Sequence, residues 1–283
     1  MTAETIGLLH PGEMGASVGA ALASRGLRVL WAVTGRSDAT VERAEAAGLV
    51  AVGDLETLVR QARRIVCVCP PSAAEEVATR VRDVGFEGVY LDANAVAPET
   101  TRRIAAGFSG TGVDFVDGGI VGPPAWQPGS TRLYLSGGLA AEIAGFFEGT
   151  PLEAIVVPGG PGAASALKMV YAGWTKGTTA LLAALFATAR AEGVDREILA
   201  EWERSVPDVP KRLAHGVPAS ARKAWRFAGE MEEIAATLEA AGLPPDFHRG
   251  AASLYERLAV FRDASDAPEL ADVIDRLLGR GSA

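Results

Sequence analysis

The chain has 283 residues, of which 48% are hydrophobic and 22% charged, the composition of an ordinary globular protein long enough for two domains. Its formal net charge of −8 argues against a general binder of nucleic acid or of anionic membranes, either of which needs a basic face. Cys67 and Cys69 are the only cysteines, so there is no disulfide framework and no metal-ligand spacing, and a metal site is not expected.

The amino-terminal MTAETIGLL lacks the basic segment and cleavage site of a signal peptide, which predicts a cytoplasmic protein. Strands are predicted at Thr5–Leu9, Arg28–Val33, Arg64–Cys69 and Gly88–Leu91. Each is followed by a helical pattern, at Met14–Arg25, Ala39–Ala47, Ala73–Val81 and Pro98–Ala106. That rhythm is the signature of an α/β fold, a doubly wound parallel sheet of the Rossmann type. Cys67 and Cys69 alternate along the third of these strands and so read as core residues on one face. Ser72 and Glu75 have the spacing of a capping box, and Pro98 suits a first helical position. Further strands are expected at Val113–Val116, Thr131–Leu135 and Ala154–Val157, with a helix over Ala140–Phe147. The sheet domain, residues 1–158, closes at Pro158.

Residues 159–283 are predicted to be all α. Their first segment, 159–191, passes from GGPGAAS into a long apolar run with no proline after Pro161, read as an interdomain helix buried on most sides. Lys168 and Lys176 interrupt the run and rule out a membrane span. Lys168 lies within two turns of the helix start, where the macrodipole disfavours a cation and burial disfavours its charge further. Such a lysine is either a stem reaching to water or a working proton donor. More helices are expected at Asp195–Ser205, Ala221–Ala241, Phe247–Phe261 and Pro268–Leu278. A loop with Pro207, Pro210 and Pro218 is flanked by Lys211, Arg212, Arg222, Lys223 and Arg226. This basic patch reads as solvated surface, or as a site for a partner's acidic groups or a phosphate.

The first strand delivers the chain into HPGEMG, residues His10, Pro11, Gly12, Glu13, Met14 and Gly15. This is a Gly-x-x-Gly remnant of the dinucleotide fingerprint, in which glycines let backbone amides approach a pyrophosphate at a helix N-terminus. His10 stands where the first of three glycines is usual. At the end of the second strand the sequence reads AVTGRS, with none of the acidic side chains that hold ribose hydroxyls in NAD sites. Arg36 and Ser37 suit a 2′-phosphate instead, so NADP is the expected cofactor, although Ser37 also reads as a plain helix cap.

Taken together, IGLLHPGEMG, the strand-end GRS, LDANAVAP, FVDGGIVGPP and GPGAASALKMVYAG resemble the successive motifs of the 3-hydroxyacid dehydrogenases and 6-phosphogluconate dehydrogenase. The resemblance implies a Rossmann domain, a connecting helix and a helical domain that pairs two subunits as a homodimer, with a small-molecule active site between the domains. It places Lys168 on the family's catalytic lysine, a general acid–base beside the nicotinamide. It places Asn94 against the nicotinamide and substrate, and Cys69 and Pro70 on the cofactor. Asp117, Gly118, Gly119, Val121 and Gly122 match the substrate loop, whose backbone can cradle a carboxylate.

Departures from the family pattern bear on the substrate. The family's loop serine is Val121 here, and the asparagine one turn after the lysine is Ala172. Pro123, Pro124 and Trp126 add apolar surface, which suits a bulkier or less polar substrate, or is ordinary loop packing. Tyr171 shares a helical face with Lys168 and is either a second proton donor or a packing residue. His248, followed by Arg249, reads as a substrate contact or as structural. Two other functions remain open: an imine reductase on the same architecture, and a noncatalytic nucleotide-binding protein.

Overall fold

The computed structural model describes residues 4–262, 264 and 266–280. The chain divides into two compact units, one ending at Met169 and one starting at Val170.

The first unit is an eight-stranded sheet in the order β3-β2-β1-β4-β5-β6-β7-β8. Its elements are β1 (Thr5–Leu9), α1 (Glu13–Ser24), β2 (Arg28–Ala32), α2 (Asp38–Ala46), β3 (Val50–Val52), α3 (Leu55–Gln61), β4 (Arg64–Cys67), α4 (Ala74–Asp83), β5 (Gly88–Asp92), α5 (Pro98–Gly107), β6 (Val113–Val121), β7 (Thr131–Ser136), α6 (Ala140–Gly145) and β8 (Leu152–Val156). β1 to β6 pair in parallel, β7 runs antiparallel to β6, and β8 is parallel to β7. The doubly wound α/β fold expected from the sequence is therefore present, with two reversed strands at one edge. Its central strands are buried on both faces, by one core around Leu8, Leu22, Trp31 and Leu133 and another around Leu30, Leu58, Ile65 and Tyr90.

The differences from the sequence reading have local causes. β3 is three residues with two exposed, too short to show an alternation. It is followed by α3, whose cap is Asp54 accepting from the Thr57 amide at 2.8 Å. The Ser72 and Glu75 pair does not cap: Ser72 lies in a 3-10 turn over Pro71–Ala73, no side chain caps α4, and Glu75 pairs with Arg103. β6 extends to Val121, so the segment read as a substrate loop is mostly strand.

α7 (Ala163–Glu192) begins in the first unit and leads into the second. The second unit adds α8 (Asp195–Ser205), α9 (Val209–Lys211), α10 (Val217–Ala221), α11 (Ala224–Ala240), α12 (Asp246–Leu258) and α13 (Leu270–Leu277). The proline-bearing stretch read as a loop is short helical turns, with Pro210 and Pro218 in first-turn positions and a π-turn over Arg212–Gly216 between them. Among the described residues no helix is long and apolar enough to cross a membrane.

Candidate functional site

Between β1 and α1 the chain turns on His10, Pro11 and Gly12. His10 has φ 65°, the one positive φ at a non-glycine position among the described residues, which explains why glycine is usual there. Gly15 is required by space, because a Cβ would stand 2.3 Å from the His10 carbonyl oxygen. Gly12 is the opposite case: a Cβ there would meet nothing within 4 Å, and no side chain caps α1. An open glycine at an uncapped helix start is the cradle a pyrophosphate requires, and Glu13 and Met14 flank it in the first turn. The residues present thus fit a dinucleotide.

Basic groups gather beside this turn. Burial pushes the His10 imidazole down to about 4, with Arg36 and Arg80 adding to the effect, and its Nδ1 is buried with no partner. Burial and then Arg80 lower the Arg36 guanidinium in turn. His10 is therefore neutral at pH 7, and Arg36 and Arg80 concentrate positive charge nearby. Ser37 occupies the cap position of α2, but its hydroxyl lies on Thr40 Oγ1 at 3.1 Å rather than on a backbone amide. Arg80, in the last turn of α4, carries no sequence motif; only the folded sheet brings it near His10.

At the ends of β4 and β5, Asn94 acts as a buried clamp. Its Oδ1 accepts from the Cys69 amide at 2.6 Å, its Nδ2 lies 3.5 Å from Cys67 Sγ, and its own amide donates to Asp92 Oδ1 at 3.0 Å. Pro70, next in the chain, is exposed. Asp92 is fully enclosed, Oδ2 has no partner, and burial, reinforced by Asp117, pushes its carboxyl up to about 7. The thiol of Cys69 is raised by its contact with Cys67 and by burial.

β6 runs past the end of β5, since their register closes at Asp92 and Asp117, and beyond that point it pairs with β7 alone. Asp117 is 0% exposed and faces the start of α7. Its Oδ2 accepts from the amides of Gly162, Ala164 and Ser165 at 2.8, 2.9 and 3.1 Å, and its Oδ1 from the Ser165 hydroxyl at 2.5 Å. Gly118 and Gly119 are glycines for reasons of space. A Cβ on Gly118 would press on Leu91 and the Asp92 carbonyl, and one on Gly119 would stand 2.7 Å from the Ala164 carbonyl and 2.9 Å from Lys168 Cβ. Lys168 thus lies directly over β6, partly buried.

Val121 is buried at the strand end, and Gly122 follows with φ +126°, where a Cβ would strike the Ser130 carbonyl at 2.4 Å. The loop beyond carries Trp126, 51% exposed. Two hydroxyls hold it: Ser17 on α1 accepts from the Ala125 amide at 2.9 Å, and Thr131 donates to the Pro123 carbonyl at 2.6 Å. The loop is therefore tied to the helix that opens at Gly12, a link no sequence pattern announces.

In the second unit, Tyr171 is exposed on α7. His248 sits on the same helix by packing: its ring would be 3.3 Å from a Cβ on Gly173 and 3.1 Å from one on Gly177, and its Nε2 lies 3.3 Å from the Gly173 carbonyl. Lys176 pairs with Glu230 and lies 4.5 Å from the centre of the Phe227 ring. No cluster of three or more metal-binding side chains occurs among the described residues.

The sheet order, the glycine turn and the cations beside it define a nicotinamide-dinucleotide-binding protein of the Rossmann class. Residues 5–143 match the family described as the NAD binding domain of 6-phosphogluconate dehydrogenase, and residues 189–258 match a domain of unknown function, DUF1932. The sheet unit thus carries an NAD-binding domain of the 6-phosphogluconate dehydrogenase kind, followed in the helical unit by the DUF1932 domain. The solved structure of MTH1747, a conserved protein of unknown function noted for its similarity with 3-hydroxyacid dehydrogenases, is 27% identical, with TM-score 0.68 over 91% of this chain and 98% of that one. The fold is also that of Mycobacterium tuberculosis 3-hydroxyisobutyrate dehydrogenase, solved with L-serine, at 18% identity and TM-score 0.72 over 98% of this chain and 99% of that one. A reductive aminase from Aspergillus terreus, in complex with NADPH and ethyl levulinate, shares it at 18% identity and TM-score 0.59, covering 97% of this chain and 99% of that one.

Proposed function

We propose that this protein is an NADP-dependent oxidoreductase of the 3-hydroxyacid dehydrogenase type, interconverting a carbonyl and an alcohol with Lys168 as general acid–base. The observation that carries the reading is Lys168 itself. The chain has 27 cationic Lys and Arg side chains, and just four are lysine, namely Lys168, Lys176, Lys211 and Lys223. Where arginine serves every other cationic position of the sheet unit, the one lysine lies over Gly119, as a compact ammonium that can give up a proton. The bound nicotinamide would supply or accept hydride.

The chain's own residues divide the remaining work. Pro11 to Gly15 hold the pyrophosphate, and Arg36 and Ser37, with Arg80 adding charge, favour a 2′-phosphate. Asn94 keeps the ends of β4 and β5 at fixed spacing. Lys168 donates a proton to the carbonyl oxygen during reduction and recovers it in the reverse direction. Trp126 supplies apolar surface, in keeping with a substrate less polar than a short hydroxy acid. Imine reduction is the second reading, favoured by the exposed Tyr171 phenol on the helix that carries Lys168.

The test is oxidation of NADPH and of NADH with short keto acids, bulkier aldehydes and ketones, and cyclic imines, using wild type, Lys168→Ala and Arg36→Ala. Carbonyl turnover should fall at least 100-fold in Lys168→Ala, within the range of one general acid's contribution (about 10²–10⁴). Arg36→Ala should weaken NADPH far more than NADH. Imine reduction that survives Lys168→Ala would transfer the assignment to Tyr171. Tight NADPH binding with no turnover of any class would count for a binding protein.

A further inference from the structure

We infer that Asp117 is a positioning residue for Lys168: its buried carboxylate fixes where α7 begins and keeps the Lys168 ammonium protonated. This deepens the oxidoreductase reading and rests on its assignment of Lys168.

Each group in contact with the Asp117 carboxylate donates a hydrogen bond to it or can do so. Three come from the amides of Gly162, Ala164 and Ser165, one from the Ser165 hydroxyl, and Ser136 Oγ lies 3.0 Å from Oδ2. These donors gather on the carboxylate at the place where a helix exposes its partial positive charge. The arrangement is braced from behind, because Ser165 Oγ also lies 2.8 Å from Thr101 Oγ1 on α5. Ser136 Oγ in turn accepts from the Ala164 amide at 3.1 Å. Two residues along the same strand, Gly119 lets α7 settle against β6 at Ala164 and Lys168.

One strand therefore sets both the origin of the helix and the seat of its lysine, which stands four residues, about 6 Å of helix rise, beyond Ala164. The helix end contributes roughly half a positive charge, and the carboxylate offsets it with a whole negative one. The balance favours the ammonium, the form that donates a proton to a carbonyl. Of the charged groups nearby, Asp92 on β5 is the register partner of Asp117, and Arg102 on α5, whose Nη1 would be 2.7 Å from a Cβ at Gly162, pairs with Glu99. Ser136, Thr101 and Ser165 are neutral.

With four lysines, reductive ¹³C-methylation gives a short set of NMR signals, and Lys168→Arg identifies the one that matters. In Asp117→Asn, which keeps the shape and loses the charge, the Lys168 transition should move to lower pH by about one unit, with Lys176, Lys211 and Lys223 unmoved. Asp92→Asn, run alongside, removes any inflection that belongs to the neighbour. Ser165→Ala keeps the charge and loses the shortest bond, so it should lower the melting temperature without displacing the transition. An unmoved Lys168 signal in Asp117→Asn, or an equal displacement in Ser165→Ala, would overturn the inference. Should Asp117→Asn fail to fold, wild type decides: Lys168 is expected to keep its proton at pH 8, and a transition below pH 8 overturns the proposal. No substrate enters the measurement, so its failure leaves the turnover assay free to succeed, and the reverse holds too.

Discussion

Asp92 and Asp117 face each other in register on β5 and β6, both enclosed, yet their surroundings differ sharply. Asp117 is surrounded by donors, whereas Asp92 receives one amide on Oδ1 and leaves Oδ2 bare. Burial raises the Asp92 carboxyl from 3.8 to about 7, so between those values the folded state holds a proton that the unfolded chain has released. The stability Asp92 contributes is fully present below pH 3.8, declines as pH rises, and is lost above about pH 7. Asp92→Asn removes that decline. Relative to wild type it should be more stable at pH 8 than at pH 4, by about 1.4 kcal/mol for each of roughly three pH units at most. Urea midpoints of both proteins at pH 4, 6 and 8 check this, and a difference that does not vary with pH would refute it. Nothing in LDANAVAP distinguishes this carboxyl from an ordinary strand-end aspartate, because enclosure is set by β4, β6 and their neighbours.

Among the elements, α7 was the most legible and its contacts the least. Its length, apolar circumference and glycine-rich lead-in could be read directly, and so could the position of Lys168 within two turns of its start. That Asp117 caps it was not legible, since the pairing spans 45 residues of sequence to Gly162. Lys176 shows the same separation of pattern from partner. It meets Glu230 on α11 with side chains 15% and 13% exposed, and the hydroxyl of Tyr255 donates to its carbonyl at 2.8 Å. Removing one member of such a pair leaves a buried charge, so Lys176→Met should cost about 3–5 kcal/mol. The double variant Lys176→Met, Glu230→Leu should recover most of it, as read by thermal and urea unfolding. Full additivity of the two single losses would show that the pair does not interact.

For the whole molecule, the second unit leaves Val170, Trp174, Leu181 and Leu185 exposed along one face of α7, with Trp174 66% and Val170 71% accessible. Apolar side chains at helical spacing on a surface mark an interface, and we expect a homodimer formed through this face. Sedimentation of the wild type should give twice the chain mass. Trp174→Glu with Leu185→Glu should give monomers that keep the sheet unit folded. A wild type that sediments as a monomer at micromolar concentration would refute the expectation.

The sequence by itself determined the doubly wound unit, the glycine turn that accepts a dinucleotide and the helical remainder, because alternation, helical period and turn glycines are local properties of the chain. Only the tertiary structure decided the rest. It reversed β7, turned the Asp117–Val121 segment into strand, closed Asn94 into a clamp, packed His248 against Gly173 and Gly177, and brought Arg80 to His10. Each of these depends on which buried groups meet across distant segments, and the cost of leaving a buried polar group without a partner, which selects those meetings, is not written in any one stretch of residues.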